Sequence, residues 1–261
     1  IADKTVFRPK MPPGALIQEG GQVLVNVYWP IEVACVEGDV TPFLRHLELM
    51  FPDKRDQKIL LCFMASLVQN QGVKFQWAPV LQGVQGNGKT LIARCVAEAI
   101  GAKYCFWPDA SGLDSDFNGW LDRVIFAGVE EIKVTEHQTK FIERLKIMIS
   151  AGHGQQIQRK GVDQTTKDIC ANFIFNTNHR DAIPIGEDSR RFCVLFSAQQ
   201  HVNDLKRDGM HIEGDYFPTL YAWLRDGGFA MVTWFLRHYV IDPEFDPAGA
   251  CQRAPITSTT S

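Results

Sequence analysis

Eight residues, Gly83-Val84-Gln85-Gly86-Asn87-Gly88-Lys89-Thr90, follow the apolar run FQWAPVL and precede the helix-forming stretch LIARCVAEAI. The order glycine, four residues, Gly-Lys-Thr restricts what this chain can fold into more than any other feature. Bringing several backbone N–H groups onto one anion needs glycines that accept left-handed φ and close approach, and a helix starting directly behind them adds its positive end. A strand, a loop and a helix are therefore expected in that order, with Gly83, Gly86, Asn87, Gly88, Lys89 and Thr90 around a bound phosphate. In such a loop the lysine reaches the β- and γ-phosphates of a nucleotide such as ATP, and the Thr90 hydroxyl is a ligand for Mg²⁺.

From Phe75 onward, apolar runs alternate with helical patterns, which predicts an α/β fold, a parallel sheet flanked by helices. The runs are FQWAPVL, RVIFAGV, ANFIFNT and RRFCVLF. Ahead of them lies a leading arm over 1–38, in which Val23, Val25 and Val27 alternate as a short strand ended by Pro30. A helical preface over 39–72 follows: Thr41 and Pro42 start one helix, with Pro42 at its first position and Phe43, Leu44, His46, Leu47 and Met50 behind it, and Asp53 with Asp56 opens a second. Within the core, 73–198, Thr135 and Gln138 form a capping box for a helix whose Phe141, Leu145 and Met148 share one face. Residues 199–245 read as C-terminal helices broken at Gly227 and Gly228, and the polar end, 246–261, as a flexible tail.

A phosphate loop alone does not choose between a kinase, a switch and a motor. RVIFAGV is followed by Glu130 and Glu131. Two adjacent carboxylates at a strand end suit hydrolysis, one orienting the Mg²⁺ shell and the other polarising the attacking water. ANFIFNTN ends in Asn176, Thr177 and Asn178, where an amide can hydrogen-bond water or the γ-phosphate without adding charge. Asn178 is the preferred candidate because it lies furthest past the strand, although asparagine is also an ordinary turn residue. Arg190 and Arg191 precede the last strand, and either can act as an arginine finger on a neighbouring subunit or pair with Glu187 and Asp188. Between the capped helix and the asparagine strand, GHGQQIQRKGVDQ offers Arg159 and Lys160 on a hairpin or loop, as a contact to a nucleic-acid backbone or as a solvated basic turn.

The bulk numbers restrict the partners. With 261 residues, 45% of them hydrophobic and 22% charged, the chain is long enough and apolar enough to bury a large core. A net charge of −3 gives no global attraction to nucleic acid, so binding there has to be local. Seven cysteines without a CxxC pair predict free thiols in a reducing compartment and argue against structural zinc. No apolar run approaches the ~18 residues of a membrane span and no signal peptide opens the chain, so a cytoplasmic protein is expected. Ile1 in place of a methionine suggests a module of a longer polypeptide.

Taken in order, GVQGNGKT, a strand ending in two acids, a helix, a basic hairpin, a strand ending in Asn-Thr-Asn and an Arg-Arg-Phe strand resemble the superfamily 3 helicase domain, an AAA+-related ATPase of viral and phage replication proteins. FLRHLELMFPDKRDQKILLCFMASLVQN, PVLQGVQGNGKT, QRKG and NTNHRDAIPIGEDSRRFCVL are similar, more specifically, to the helicase-like module of phage and plasmid primase-helicases and primase-polymerases. That resemblance covers most of 39–196. It implies a P-loop NTPase fold, Walker A roles for Lys89 and Thr90, Walker B roles for Glu130 and Glu131, and a sensor role for Asn178. It further implies an arginine finger at Arg191 or Arg190 and DNA contacts at Arg159 and Lys160. Family members form rings, usually hexamers, with ATP between subunits and single-stranded DNA in the channel. The resemblance also implies a primase or polymerase domain upstream in the full-length chain. Many members carry an aspartate in the acidic pair where this chain has two glutamates. A P-loop kinase, or a ring scaffold that binds ATP with little turnover, remains open at the level of sequence.

Overall fold

The computed structural model describes residues 2–108, 113, 118–132, 139–152, 154–159, 162–180 and 190–259. Its centre is a five-stranded sheet built from β4 (Ala78–Gln82), β5 (Cys105–Phe106), β6 (Phe126–Val129), β9 (Asn172–Thr177) and β10 (Phe192–Phe196). The strands run in the order β10-β4-β9-β6-β5, and every pairing is parallel. Four of them are the four apolar runs. The fifth, β5, has only two residues, too short to leave a periodic signal.

Alternation along the strands divides the core into two layers. Leu81, Ile174, Cys193 and Leu195 pack on one face with α1 (Thr41–Met50), α2 (Lys54–Gln69), α3 (Lys89–Ile100) and the C-terminal helices. Val80, Ala127, Phe173, Phe175 and Val194 pack on the other face with α4 (Thr139–Ser150), through Phe141, Leu145 and Met148. The capping box expected at Thr135 and Gln138 lies outside the described residues. Of the two glycines at 227–228, Gly227 breaks the C-terminal helical stretch and Gly228 stays helical: α6 (Tyr216–Trp223) and α7 (Phe229–His238) are separated by Asp226 and by Gly227, which has φ +96°. A short α5 (Val202–Arg207) precedes them.

Local chemistry explains the helix starts. Asp53 caps α2, its side chain accepting from the N–H groups of Arg55 and Asp56. In α1 the N-cap is Val40, and Asp39 Oδ1 accepts from both Thr41 N and Thr41 Oγ1, so the helix begins one residue before the expected first position at Pro42.

Two expectations about the chain ends change. The arm is a folded unit: β1 (Lys4–Val6), β2 (Leu16–Glu19) and β3 (Gln22–Asn26) form a three-stranded sheet ordered β1-β3-β2. It is fastened by the Asn26 carboxamide, which donates to the carbonyls of Arg8, Met11 and Pro12, and by Phe7 and Tyr28 against Tyr104. The polar tail is docked rather than free. Ala254 N donates to Arg190 O, Thr257 Oγ1 donates to Val194 O, and Ser258 bonds the buried Asp56 carboxylate, so the segment covers the open edge of β10. Composition marks these residues as polar, but an exposed sheet edge has unpaired backbone groups that a polar segment can satisfy. All seven cysteines are free thiols, and no helix among the described residues is long and apolar enough to cross a membrane.

Candidate functional site

Strand order assembles the site. Because β9 lies between β4 and β6, the loop after β4, the two acids after β6 and the asparagines at the end of β9 meet at the carboxyl edge of the sheet. Ligands of open parallel sheets bind at this edge, where backbone groups point outward and the connecting loops diverge. A cleft of about 360 Å³ opens there, lined by Gln85 to Thr90, Glu130, Glu131, Asn176 to Asn178, and Ile212, Phe217 and Tyr221.

The loop is preformed. Gly86 and Gly88 have φ +86° and +91°, which an L side chain rarely adopts, and Gly88 is the N-cap of α3. Asn87 is fully buried and donates to Ser197 Oγ at 2.9 Å, and that hydroxyl donates to Gln199 O at 2.9 Å. Lys89 is only 6% exposed. Its ammonium shares three protons among four oxygens: Gly83 O at 2.8 Å, Val84 O at 2.9 Å, Asn87 Oδ1 at 3.0 Å and Asn178 Oδ1 at 3.0 Å. Burial pulls its pKa down from 10.5 to about 8, opposed by the Glu130 and Glu131 carboxylates. A cation held this way in neutral carbonyl oxygens gains most from an anion brought into the cleft.

Thr90 Oγ1 donates to Glu130 Oε2 at 3.0 Å, and Asn176 Nδ2 donates to Glu130 Oε1 at 3.0 Å. Glu130 therefore bridges the loop to β9. Glu131 follows with φ +55°, a left-handed conformation costing a non-glycine residue roughly 1–2 kcal/mol. It is tied down by its neighbour: Ile132 N donates to Asn176 O, and Thr177 Oγ1 donates to Ile132 O at 2.7 Å. Backbone strain at the rim of a cleft, held by surrounding bonds, is a recurrent mark of functional positions. The hydroxyl and carboxylate pair at Thr90 and Glu130 is a hard-oxygen donor set of the kind Mg²⁺ prefers. Among the described residues no group of three or more His, Cys, Asp or Glu is placed to hold a metal alone, so further ligands would have to come from phosphate oxygens and water.

Comparison with known proteins gives a shared fold and a relative among phage replication proteins. A family of unknown function, DUF5906, matches residues 81–191, the segment from the end of β4 to the start of β10. The DNA primase-polymerase of Nitratiruptor phage NrS-1 is 26% identical over 138 residues, covering 52% of this chain and 18% of the relative. The apo structure of the NrS-1 C-terminal region superposes with a TM-score of 0.78 at 19% identity, covering 98% of this chain and 58% of that one. Its A-form apo structure gives 0.75 at 20% identity and the same coverage. The chain thus shares the fold of that C-terminal region and is similar in sequence to a phage DNA primase-polymerase, of which it spans a small part.

The expected site residues separate into three groups. Lys89, Thr90, Glu130, Glu131 and Asn178 converge on the cleft, with the loop residues Gly86, Asn87 and Gly88, while Gly83 starts the turn beneath it. Arg190 and Arg191 do not join them. They precede β10, whose Phe192 pairs with Ala78 at the far end of β4, so the length of β4, roughly 17 Å, separates them from the loop. Arg191 is engaged there, donating to Gln76 O at 2.8 Å and Gln76 Oε1 at 3.0 Å. Arg159 falls on the hairpin of β7 (Gln155–Arg159) and β8 (Val162–Lys167), opposite Val162 at the end of the pairing, and Lys160 lies outside the described residues.

Sequence reasoning passed over several residues. Position past the strand favours Asn178 over Asn176, yet both amides reach the cluster, one on Glu130 and one on Lys89; the strand register, with Leu81 opposite Asn176, decides this. His46, read as one of the apolar face of α1, stands against the loop at Gly88. Ile212, Phe217 and Tyr221 give the cleft an apolar wall, and Phe217 with Tyr221 at i, i+4 spacing on α6 is its only trace in the sequence. A larger groove of about 760 Å³ lies between the N-terminal sheet and β8, and two of its cations are paired there, Arg8 with Glu19 and Asp168 and Lys167 with Asp122.

Proposed function

We propose that the chain is an ATP-hydrolysing motor module of a phage-type DNA replication protein, of superfamily 3 helicase type. The observation that carries this is the meeting of a buried loop lysine, a loop threonine and a strand-end glutamate in one cleft at the carboxyl edge of the sheet. Similarity to a phage primase-polymerase supports the replication setting.

The loop N–H groups and Lys89 hold the β- and γ-phosphates, and the apolar wall of Ile212, Phe217 and Tyr221 takes the nucleoside, matching a ligand that is charged at one end and flat at the other. Thr90 and Glu130 would hold Mg²⁺, which neutralises phosphate charge when bound. Glu131 at the rim takes a proton from the water that attacks the γ-phosphorus, while the bond from that phosphorus to the ADP oxygen breaks. Asn178, already on Lys89, and Asn176, already on Glu130, fix the two charged groups relative to each other. Arg190 or Arg191 serves as a finger only toward another copy, because both lie at the opposite end of the sheet from their own loop; a ring, hexameric as in the resembling family, supplies that geometry. Arg159 and Lys160 contact single-stranded DNA from the β7–β8 hairpin, and hydrolysis moves them along the strand.

ATPase activity with and without single-stranded DNA tests the proposal in wild type, Lys89→Ala and Lys160→Ala. Hydrolysis is lost in Lys89→Ala. In Lys160→Ala basal hydrolysis survives and stimulation by DNA falls. Transfer of phosphate to an acceptor without net hydrolysis would replace this proposal with a kinase, and ATP binding with negligible turnover in the presence of DNA would replace it with a scaffold.

A further inference from the structure

His46 comes from the helical preface, not from the loop, the acidic pair or β9, and it does not line the cleft. It is nevertheless fully buried between two parts of the site. Its Nε2 stands 3.3 Å from Gly88 O and its Nδ1 stands 3.0 Å from the Tyr216 hydroxyl.

The chemistry of the partners fixes the proton positions. A carbonyl oxygen only accepts, so Nε2 carries the hydrogen and donates to Gly88. A neutral imidazole then has a bare Nδ1, which accepts the Tyr216 O–H. The two bonds run in one direction, Tyr216 to His46 to Gly88, and each polarises the next. Burial supports the neutral form, lowering the His46 pKa to about 4.

What the relay grips matters. Gly88 is the left-handed N-cap of α3, and its carbonyl also accepts Leu91 N–H at 3.0 Å. The peptide unit is planar and trans, so holding the Gly88 carbonyl on the His46 side turns the Lys89 N–H to the opposite side. The fit leaves no slack. A Cβ at Gly88 would overlap the His46 ring, lie 2.6 Å from Nε2 and stand 3.0 Å from Phe217 Cε1. Tyr216, at the other end of the relay, is the first residue of α6, which carries Phe217 and Tyr221 into the cleft.

We propose that His46 is a positioning residue that locks the Gly88–Lys89 peptide and, through Tyr216, sets α6 in register with the phosphate loop, so that the two walls of the cleft are held as one unit. Its consequence for ligand affinity rests on the nucleotide-binding function proposed above, whereas its effect on the loop does not.

The test uses the whole chain and three variants: Tyr216→Phe, which removes one bond; His46→Leu, which removes both; and His46→Gln, whose carboxamide has one donor and one acceptor to replace them. Backbone hydrogen exchange at residues 86–91 is measured without ligand, and affinity for a fluorescent ATP analogue with Mg²⁺ is measured separately. Tyr216→Phe is expected to speed exchange in the loop and weaken analogue binding roughly fivefold to tenfold, the worth of one hydrogen bond, and His46→Leu to do both more strongly, with exchange in α2 and β9 unchanged. His46→Gln restores both to within about threefold. The proposal is overturned if Tyr216→Phe leaves loop exchange at the wild-type rate, if exchange rises equally throughout the chain, or if Gln performs no better than Leu. Should His46→Leu not fold, Tyr216→Phe and His46→Gln decide. A wild-type chain that does not bind the analogue refutes the nucleotide proposal, and loop exchange still decides the role of His46.

Discussion

Gly83 and Gly86 belong to the same eight-residue loop, yet the structure assigns them different physical duties, and alanine substitutions separate the two. A Cβ at Gly83 would overlap Ser197 Oγ, lie 2.5 Å from Asn87 Nδ2 and stand 3.0 Å from Ser197 Cβ. The serine hydroxyl cannot swing aside freely, because it accepts from Asn87 and donates to Gln199 O. Overpacking of this kind costs about 1–3 kcal/mol, and displacing the hydroxyl adds about 1 kcal/mol for each bond lost, so Gly83→Ala is expected to destabilise by about 3–5 kcal/mol. At Gly86 the nearest atom to a new Cβ is Leu205 Cδ1 at 4.0 Å, and the cost is that of a left-handed alanine alone, about 1–2 kcal/mol. Urea unfolding measures both. The decisive comparison repeats each substitution in a Ser197→Ala background, where the colliding oxygen is gone. The Gly83→Ala penalty should fall there by about 1–3 kcal/mol while that of Gly86→Ala stays within about 0.5 kcal/mol, since only the first pair touches. Equal Gly83→Ala penalties in the two backgrounds would refute the collision with Ser197 Oγ as the source of the penalty.

On the proposed function, Lys89, buried with a pKa near 8, is expected to make nucleotide binding pH-dependent: a bound phosphate favours the charged form, so affinity should be flat below pH 8 and fall above it toward tenfold per unit, which titration calorimetry would check. The sign for folding is the reverse: the native lysine gives up its proton before the unfolded one does, so its burial penalty is relieved as pH rises from about 8 toward 10.5, and Lys89→Met should flatten that part of the stability profile. Glu131→Gly releases the left-handed strain at φ +55°, so melting should be unchanged or raised by about 1 kcal/mol equivalent while, on the proposed function, ATP turnover drops at least about 100-fold through loss of the proposed base; a parallel loss of stability would contradict this. Arg191→Ala removes the guanidinium from Gln76 and should cost about 1–2 kcal/mol in urea unfolding, whether or not turnover is affected; an Arg190→Ala variant that loses turnover at unchanged stability would identify the exposed arginine as the finger.

Much of the fold was legible because its signals are local. The four long strands of the sheet are runs of apolar residues bounded by turns, the start of α2 is written in Asp53, and the break between α6 and α7 is written in Gly227. The two-residue strand β5 and the docked tail were not legible. The first is too short to be periodic, and the second is held by bonds from Ala254, Thr257 and Ser258 to residues 60 or more positions away. The same distinction holds within the site. Lys89, Thr90 and the glutamate pair announce themselves by spacing, whereas Asn176 is chosen over any other strand-end amide by register alone.

By itself, the sequence determined that a strand, a glycine loop and a helix form in that order with a lysine and a threonine at the turn, because left-handed φ, helix initiation and hydrophobic period are properties of neighbouring residues. The tertiary structure decided what stands around that turn. Inserting β9 between β4 and β6 brought Asn176 and Asn178 onto Glu130 and Lys89, folding the helical preface back placed His46 against Gly88, and the direction of β10 carried Arg191 to the opposite edge. Those placements depend on strand order and on packing between residues as far apart as 46 and 216, for which no local pattern in the chain carries a signal.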